Sequence, residues 1–343
     1  MSNLKKFKKN IDKYIKEAKT DINVKIDKPP SILEIQNTVY GTVGNLSVLS
    51  GKAKGGKSFA HTMFVTAFLD PNNRVHKGWE TKQKYKSVII FDTEQSPYHV
   101  SLMSSRIVRK LNSKHKTKFL NVYGLRPYTP EQRLILIKHI IYKAENLSLV
   151  VIDGIADLVS NGYNDEADSI MIASKLLKWT KELNIHIITI IHQNKADNNT
   201  KGHLGAQLMQ KAETVLDVAK LSNCKGYFTI TPNASRGIDI DNIVFQIDEY
   251  GIPVLADEPE NDILIRKKYP RDFDYEYKLQ LVNKAFENKK ELFRNDLSDL
   301  LKHYLSEDGY KIGNSILRDW ITYFKVEKMI KQKSERKPYK LNA

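Results

Sequence analysis

The stretch LSVLSGKAKGGKSFAHTMF, residues 46–64, places an apolar run before a glycine–lysine loop and a helix-forming run behind it. Few local patterns restrict a fold more. Residues 51–58, Gly51-Lys52-Ala53-Lys54-Gly55-Gly56-Lys57-Ser58, match G-x-x-x-x-G-K-[ST] in full. In such a loop the glycines let backbone N–H groups turn inward around phosphate oxygens. The lysine, here Lys57, reaches the β- and γ-phosphates. The hydroxyl of Ser58 is placed to ligate Mg²⁺. The N-terminus of the following helix adds a favourable dipole for an anion. ATP and Mg²⁺ are the ligands this pattern predicts.

From Leu46 onward, apolar runs alternate with amphipathic stretches. Strands are expected at Leu46–Ser50, Ser87–Asp92, Leu147–Asp153 and Ile185–His192. Their near-continuous apolar character suits strands buried on both faces. Helices are expected between them, among others at Ser58–Leu69 and Asp168–Leu183. This is the pattern of an α/β domain with a mostly parallel sheet covered on both faces. Tyr227–Thr231, Asn242–Asp248 and Ile252–Leu255 alternate around a Tyr250-Gly251 turn and predict an antiparallel extension at one sheet edge.

Four segments follow. Residues 1–28 carry nine lysines against four acids, with Leu4, Phe7, Ile11, Tyr14, Ile15 and Ala18 at helical spacing. They predict a basic amphipathic helix ending before Pro29-Pro30. Residues 29–258 form the core, residues 259–274 a charged linker, and residues 275–343 a mostly helical tail. In the tail, MIKQKSERKPYKL reads as a hairpin, so helices plus hairpin suit a winged-helix module.

Net charge is +15, which suits a polyanionic partner, nucleic acid first. Cys224 is the single cysteine and cannot form an internal disulfide, as expected of a reducing, cytoplasmic setting. No signal-peptide pattern opens the sequence, and no apolar run approaches the roughly 20 residues of a membrane helix. A membrane partner is not expected. The nine histidines and one cysteine form no metal-ligand spacing.

Three further strand tips carry chemistry. LVVID ends in Asp153, the pattern of a strand whose aspartate holds the Mg²⁺ hydration shell. The next residue is Gly154, so no carboxylate stands there to activate water. SVIIFDTEQS supplies one in Glu94, at the carboxyl edge of another strand. IITIIHQNK ends in His192 and Gln193, placed to sense a γ-phosphate.

Phosphate loop, DTEQ, LVVIDG and IIHQNK occur in the order of the RecA-like ATPases. With TVYGTVGNLSVLSGKAKGGKS and NASRG, the chain resembles the RepA-type hexameric replicative helicases of plasmids, phages and mobile elements over about residues 30–255. The resemblance implies a ring of six like subunits, ATP at each subunit boundary, and single-stranded DNA in the central channel. It implies that Arg236 of NASRG reaches a neighbour's nucleotide. Related proteins carry a lysine two residues earlier, where this chain has Ala234. The channel loops would be Asp157–Asp168 and Asn194–Leu204, with Lys195 and Lys201 as backbone contacts. The N-terminal helix would dock on the adjacent subunit.

The leading expectation is an ATP-driven motor on single-stranded DNA in the replication or transfer of a mobile element. A nucleotide-gated loader or regulator, whose tail permits contact with duplex DNA, is the alternative. A small-molecule kinase would leave His192, Gln193 and Arg236 without a role.

Overall fold

The computed structural model describes residues 3–162, 165–193, 202–221, 224–257, 259, 269–310, 312–334 and 337–342. Lys195 and Lys201 lie outside these residues, as does most of the linker.

The basic N-terminal segment is two short helices, α1 (Asn3–Lys9) and α2 (Ile11–Ala18), not one helix to residue 28. The break falls at Asn10, whose backbone leaves helical geometry (φ −116°, ψ 26°). Residues 19–30 hold no helix or strand. Phe7 stacks on Tyr14 across the break, and Phe7, Ile11 and Ile15 remain exposed. No residue of α2 is buried.

A small antiparallel sheet follows, from β1 (Ser31–Ile35), β2 (Thr38–Thr42) and β4 (Trp79–Glu80). The main sheet has nine strands. Six are parallel: β3 (Leu46–Gly51), β5 (Ser87–Asp92), β6 (Leu120–Gly124), β7 (Leu147–Asp153), β8 (His186–His192) and β9 (Thr214–Lys220). Their spatial order is β9-β3-β8-β7-β5-β6. Three antiparallel strands, β10 (Tyr227–Ser235), β11 (Ile243–Ile247) and β12 (Pro253–Leu255), continue the sheet beyond β9. The expected edge extension is therefore present, and β10 runs four residues longer than the alternation indicated.

Helices cover both faces. On one side α3 (Lys57–Phe68) and α4 (Pro97–Leu111) pack with the small sheet, joining Met63, Phe64, Trp79, Met103 and Ile107 to one apolar core. After the short α5 (Lys114–Thr117), the opposite side is covered by α6 (Pro130–Lys143), α7 (Glu166–Leu183) and α8 (Gly202–Lys211). There Ile137, Ile141, Leu176, Trp179, Leu204 and Leu208 form a second core. The central strands bury side chains on both faces, which accounts for their unbroken apolar runs. Among the described residues, no helix is long and apolar enough to cross a membrane.

The tail has its own core. Helices α9 (Tyr275–Phe286), α10 (Arg294–Glu307) and α11 (Asn314–Val326) pack around Trp320, Phe324, Leu297 and Leu301. A hairpin of β13 (Ile330–Gln332) and β14 (Tyr339–Leu341) closes it. Reciprocal bonds between the backbones of Leu292 and Tyr339 (3.0 and 2.8 Å) tie the hairpin to the start of α10.

Candidate nucleotide site

In a parallel sheet, chemistry collects where strand ends point into one crevice. Here β3, β5, β7 and β8 all end on the same side. The loop after β3 leads into α3 through Gly56, which adopts φ +101°. A side chain there would meet the Phe228 ring at 2.4 Å, so close packing of β10 on the loop requires glycine. Lys54, at the crest, also takes a left-handed conformation (φ 58°) without being glycine.

Lys57 is buried at the base of the loop. Its ammonium donates to the carbonyls of Gly51 and Lys52, each at 2.9 Å, and lies 3.0 Å from His192 Nδ1. Burial pushes the Lys57 amine below the usual lysine range, while Asp153 and Glu94 pull it back up. The other nitrogen of His192 is 3.3 Å from Glu94 Oε2. Lysine, imidazole and carboxylate thus form one chain across the crevice. Strand order explains it: β8 lies between the loop strand β3 and the β7–β5 pair, so its terminal residue bridges them. Residues 54–59, Glu94, Gln95, Asp153, His192, Lys220 and Phe228 line the cleft.

Glu94 is held by its own turn. Asp92 Oδ1 accepts from the backbone N–H groups of Glu94 (3.1 Å) and Gln95 (2.8 Å). Burial raises the Asp92 carboxyl, and neighbouring Asp153 raises it further. The Thr93 hydroxyl lies within 3.0 Å of Asp153 O, Gly154 O and Asp157 Oδ2, which joins the tips of β5 and β7. Arg133 Nη1 donates to Asp157 O at 2.8 Å. Burial also raises the Asp157 carboxyl.

Gly154 completes this arrangement. Its φ is +88°, and a Cβ would come within 2.2 Å of Thr93 Oγ1 and 2.7 Å of Glu94 Cγ. A carboxylate after Asp153 would occupy the space that Glu94 uses. The two positions are mutually exclusive in this backbone.

Asp153 meets an unexpected neighbour. His61, one turn beyond Ser58 on α3, is fully buried with Nε2 3.5 Å from Asp153 Oδ2. Neither nitrogen of His61, nor Asp92 Oδ2, has a hydrogen-bond partner among the described residues. Buried polar atoms almost always find one. Carboxylate oxygen, a hydroxyl at Ser58 and unsatisfied buried polar atoms suit a hydrated Mg²⁺, whose preferred ligands are oxygens.

Two expected participants stand apart. Gln193 does not line this cleft. Its side chain donates to Ser50 Oγ (3.1 Å), and Ser50 in turn bonds Asp217, which accepts from Asn233 Nδ2 at 2.8 Å. Gln193 instead lines the adjoining side of the phosphate loop, with residues 52–55, Asp217 and Lys220, because adjacent strand residues point to opposite faces. Arg236 follows β10 at the other end of the sheet. Ser235 pairs with Thr214, whereas Phe228 of the same strand lies against the loop. Seven residues of strand separate them, roughly 23 Å at about 3.3 Å per residue. Arg236 donates to Lys211 O (3.0 Å) and cannot reach the cleft of its own chain.

Asp92, Thr93, Asp157, Arg133 and His61 escaped sequence reasoning. DTE beside a predicted strand end was a signal for Asp92 and Thr93. His61 sits inside an apolar helix run and had none. In the loop after β7, Asp165 caps α7 by accepting from Asp168 N (2.8 Å), so that acid serves the helix.

The profile of the family described as "AAA domain" matches residues 24–198, a little over half of the chain. Among solved structures, an ATPase domain aligns at TM-score 0.49 with 13% identity, over 75% of this chain and 100% of that one. The RadB recombinase aligns at TM-score 0.44 with 18% identity, over 63% of this chain and 92% of that one. No curated protein matches. On its phosphate loop and its sequence profile, the chain belongs to the AAA domain family of P-loop ATPases.

Proposed function

We propose that this chain is an ATP-driven motor on single-stranded DNA, acting as a ring of like subunits with ATP at each boundary. The observation that carries the reading is the Lys57–His192–Glu94 chain, 3.0 and 3.3 Å between partners. Lys57 grips the terminal phosphates. Glu94 takes a proton from the attacking water, as a carboxylate within hydrogen-bond reach can. His192 touches both groups, so it registers whether the terminal phosphate is present. Bound Mg²⁺, held through Ser58 and Asp153, would neutralise charge on the phosphates.

Arg236 supports the subunit boundary. An exposed arginine at the sheet end away from its own loop has no role in its own cleft, but can stabilise charge on a neighbour's γ-phosphate. The apolar face of α1 and α2, unburied within the chain, suits docking on that neighbour. Lys195 and Lys201 remain the proposed DNA contacts. Replication of a mobile element is the setting that the sequence resemblance favours.

The test is ATPase rate with and without single-stranded DNA, alongside mass in solution. Lys57→Ala should lose nucleotide binding. Glu94→Gln should keep binding and lose turnover by at least about a hundredfold, the scale of general-base loss. A ring stimulated by single strands supports the motor. Turnover indifferent to DNA, with tight duplex binding, would instead favour a nucleotide-gated loader, a reading supported by the helix-and-hairpin tail.

A further inference from the structure

The tail is electrically divided. Residues 269–308 hold seven basic and nine acidic residues, whereas residues 309–343 hold nine basic and three acidic. The first group builds α9 and α10. The second builds α11 and the β13–β14 hairpin.

On α11, Leu317, Trp320, Ile321 and Phe324 face the core. The opposite side exposes Asn314, Arg318, Thr322 and Lys325, a stripe at four-, eight- and eleven-residue offsets along one helix face. Asp319 is the one acid on the exposed side of that helix. A groove between α11 and the start of α10 brings Arg294 and Asn295 beside Asn314 and Arg318, with Asp299 also on its wall. Arg318, Lys325, Lys331, Lys333 and Lys337 form no ion pair with another described residue.

The hairpin strengthens the case. Lys331 pairs directly across from Lys340, an arrangement that costs stability in a two-stranded sheet. Glu291 offsets Lys340 only. A surface that keeps like charges opposed is adapted to an external anion.

We propose that α11 and the β13–β14 hairpin form a surface for duplex DNA, with α11 in the major groove and the hairpin lysines on the phosphate backbone. Thirteen residues of helix span about 20 Å, and a helix matches the roughly 12 Å major groove. Single strands are held chiefly by stacking on exposed aromatic rings. No aromatic side chain is exposed among the described residues of α11 and the hairpin. Tyr323 lies half-buried under Lys278, whose amine is 4.4 Å from the ring centroid. The inference goes beyond the motor reading and holds whether or not ATP drives movement.

The experiment uses the full chain without nucleotide, measuring fluorescence anisotropy on a mixed-sequence duplex and on a single strand of equal length across salt concentrations. Arg318→Ala with Lys325→Ala tests the helix. Lys331→Ala, Lys333→Ala and Lys337→Ala together test the hairpin. Each set should weaken duplex binding by about tenfold, and the hairpin set should flatten the logarithmic salt slope by roughly three. Melting temperature and single-strand-stimulated ATPase should stay as in the unsubstituted chain. Unchanged duplex affinity in both sets overturns the proposal. Equal weakening on both DNA forms also overturns it, as does failure of the unsubstituted chain to bind duplex.

Discussion

Gly154 shows how one residue decides which side chain has room beside Asp153. Its positive φ and its contact with Thr93 and Glu94 leave no room for a side chain. Left-handed backbone alone costs a non-glycine residue about 1–2 kcal/mol, and the clash adds to it. Gly154→Ala should therefore lower the melting temperature by several degrees and depress ATPase more than nucleotide binding. His61 offers a second case. It lies 3.5 Å from the Asp153 carboxylate, with that of Asp92 also near. Partners that orient a metal-binding carboxylate typically change metal affinity by 10–100-fold. His61→Ala should raise the Mg²⁺ concentration needed for half-maximal nucleotide binding by about tenfold. Nucleotide affinity in chelator should not change, and His61→Gln should recover part of the effect. An unaltered Mg²⁺ midpoint in His61→Ala would make His61 a packing residue only.

At the scale of elements, the strand order does the positioning. With β8 between β3 and β7, an imidazole at its tip touches both lysine and carboxylate. The long β10 carries Arg236 to the far sheet end. If Arg236 serves a neighbour, Arg236→Ala should lose turnover and keep ATP binding. Mixing Arg236→Ala subunits with Glu94→Gln subunits should then restore measurable ATPase, because some boundaries regain both groups. Mixtures as inactive as their components would count against action between subunits. The same elements explain what was legible beforehand. β5, β7 and β8 are buried on both faces, so their apolar runs marked them within a residue or two. β6 is short and half-exposed at the sheet edge, and β9 is interrupted by Asp217, so neither carried a clean signal. The phosphate loop, Asp153 and Glu94 were readable because each stands where an apolar run stops. Gln193 was not separated from His192 because sequence does not give the face toward which a strand tip turns. His61 was invisible because its partner lies ninety-two residues away.

Two buried imidazoles set a property of the whole molecule. His186 sits under Gly41, within 2.9 Å of Ser47 Oγ and Thr42 O, and burial lowers its pKa to about 4. His76, against Trp79 and Thr66, is lowered to about 3 by burial and then by Lys110. An unfolded histidine titrates near 6.5. Below that pH the unfolded chain binds more protons than the folded one, so stability falls on acidification until the folded values are reached. The slope approaches about 1.4 kcal/mol per pH unit for each histidine. Denaturant midpoints should drop between pH 7 and pH 5, and His186→Gln should reduce the slope by one proton.

The carbonyls of Gly51 and Lys52 and the ring of His192 give the Lys57 amine a berth within its own chain. Nucleotide capture is therefore an exchange of partners for that amine. Departure of the phosphates would return it to waiting acceptors, so no charge is left stranded in the emptied loop.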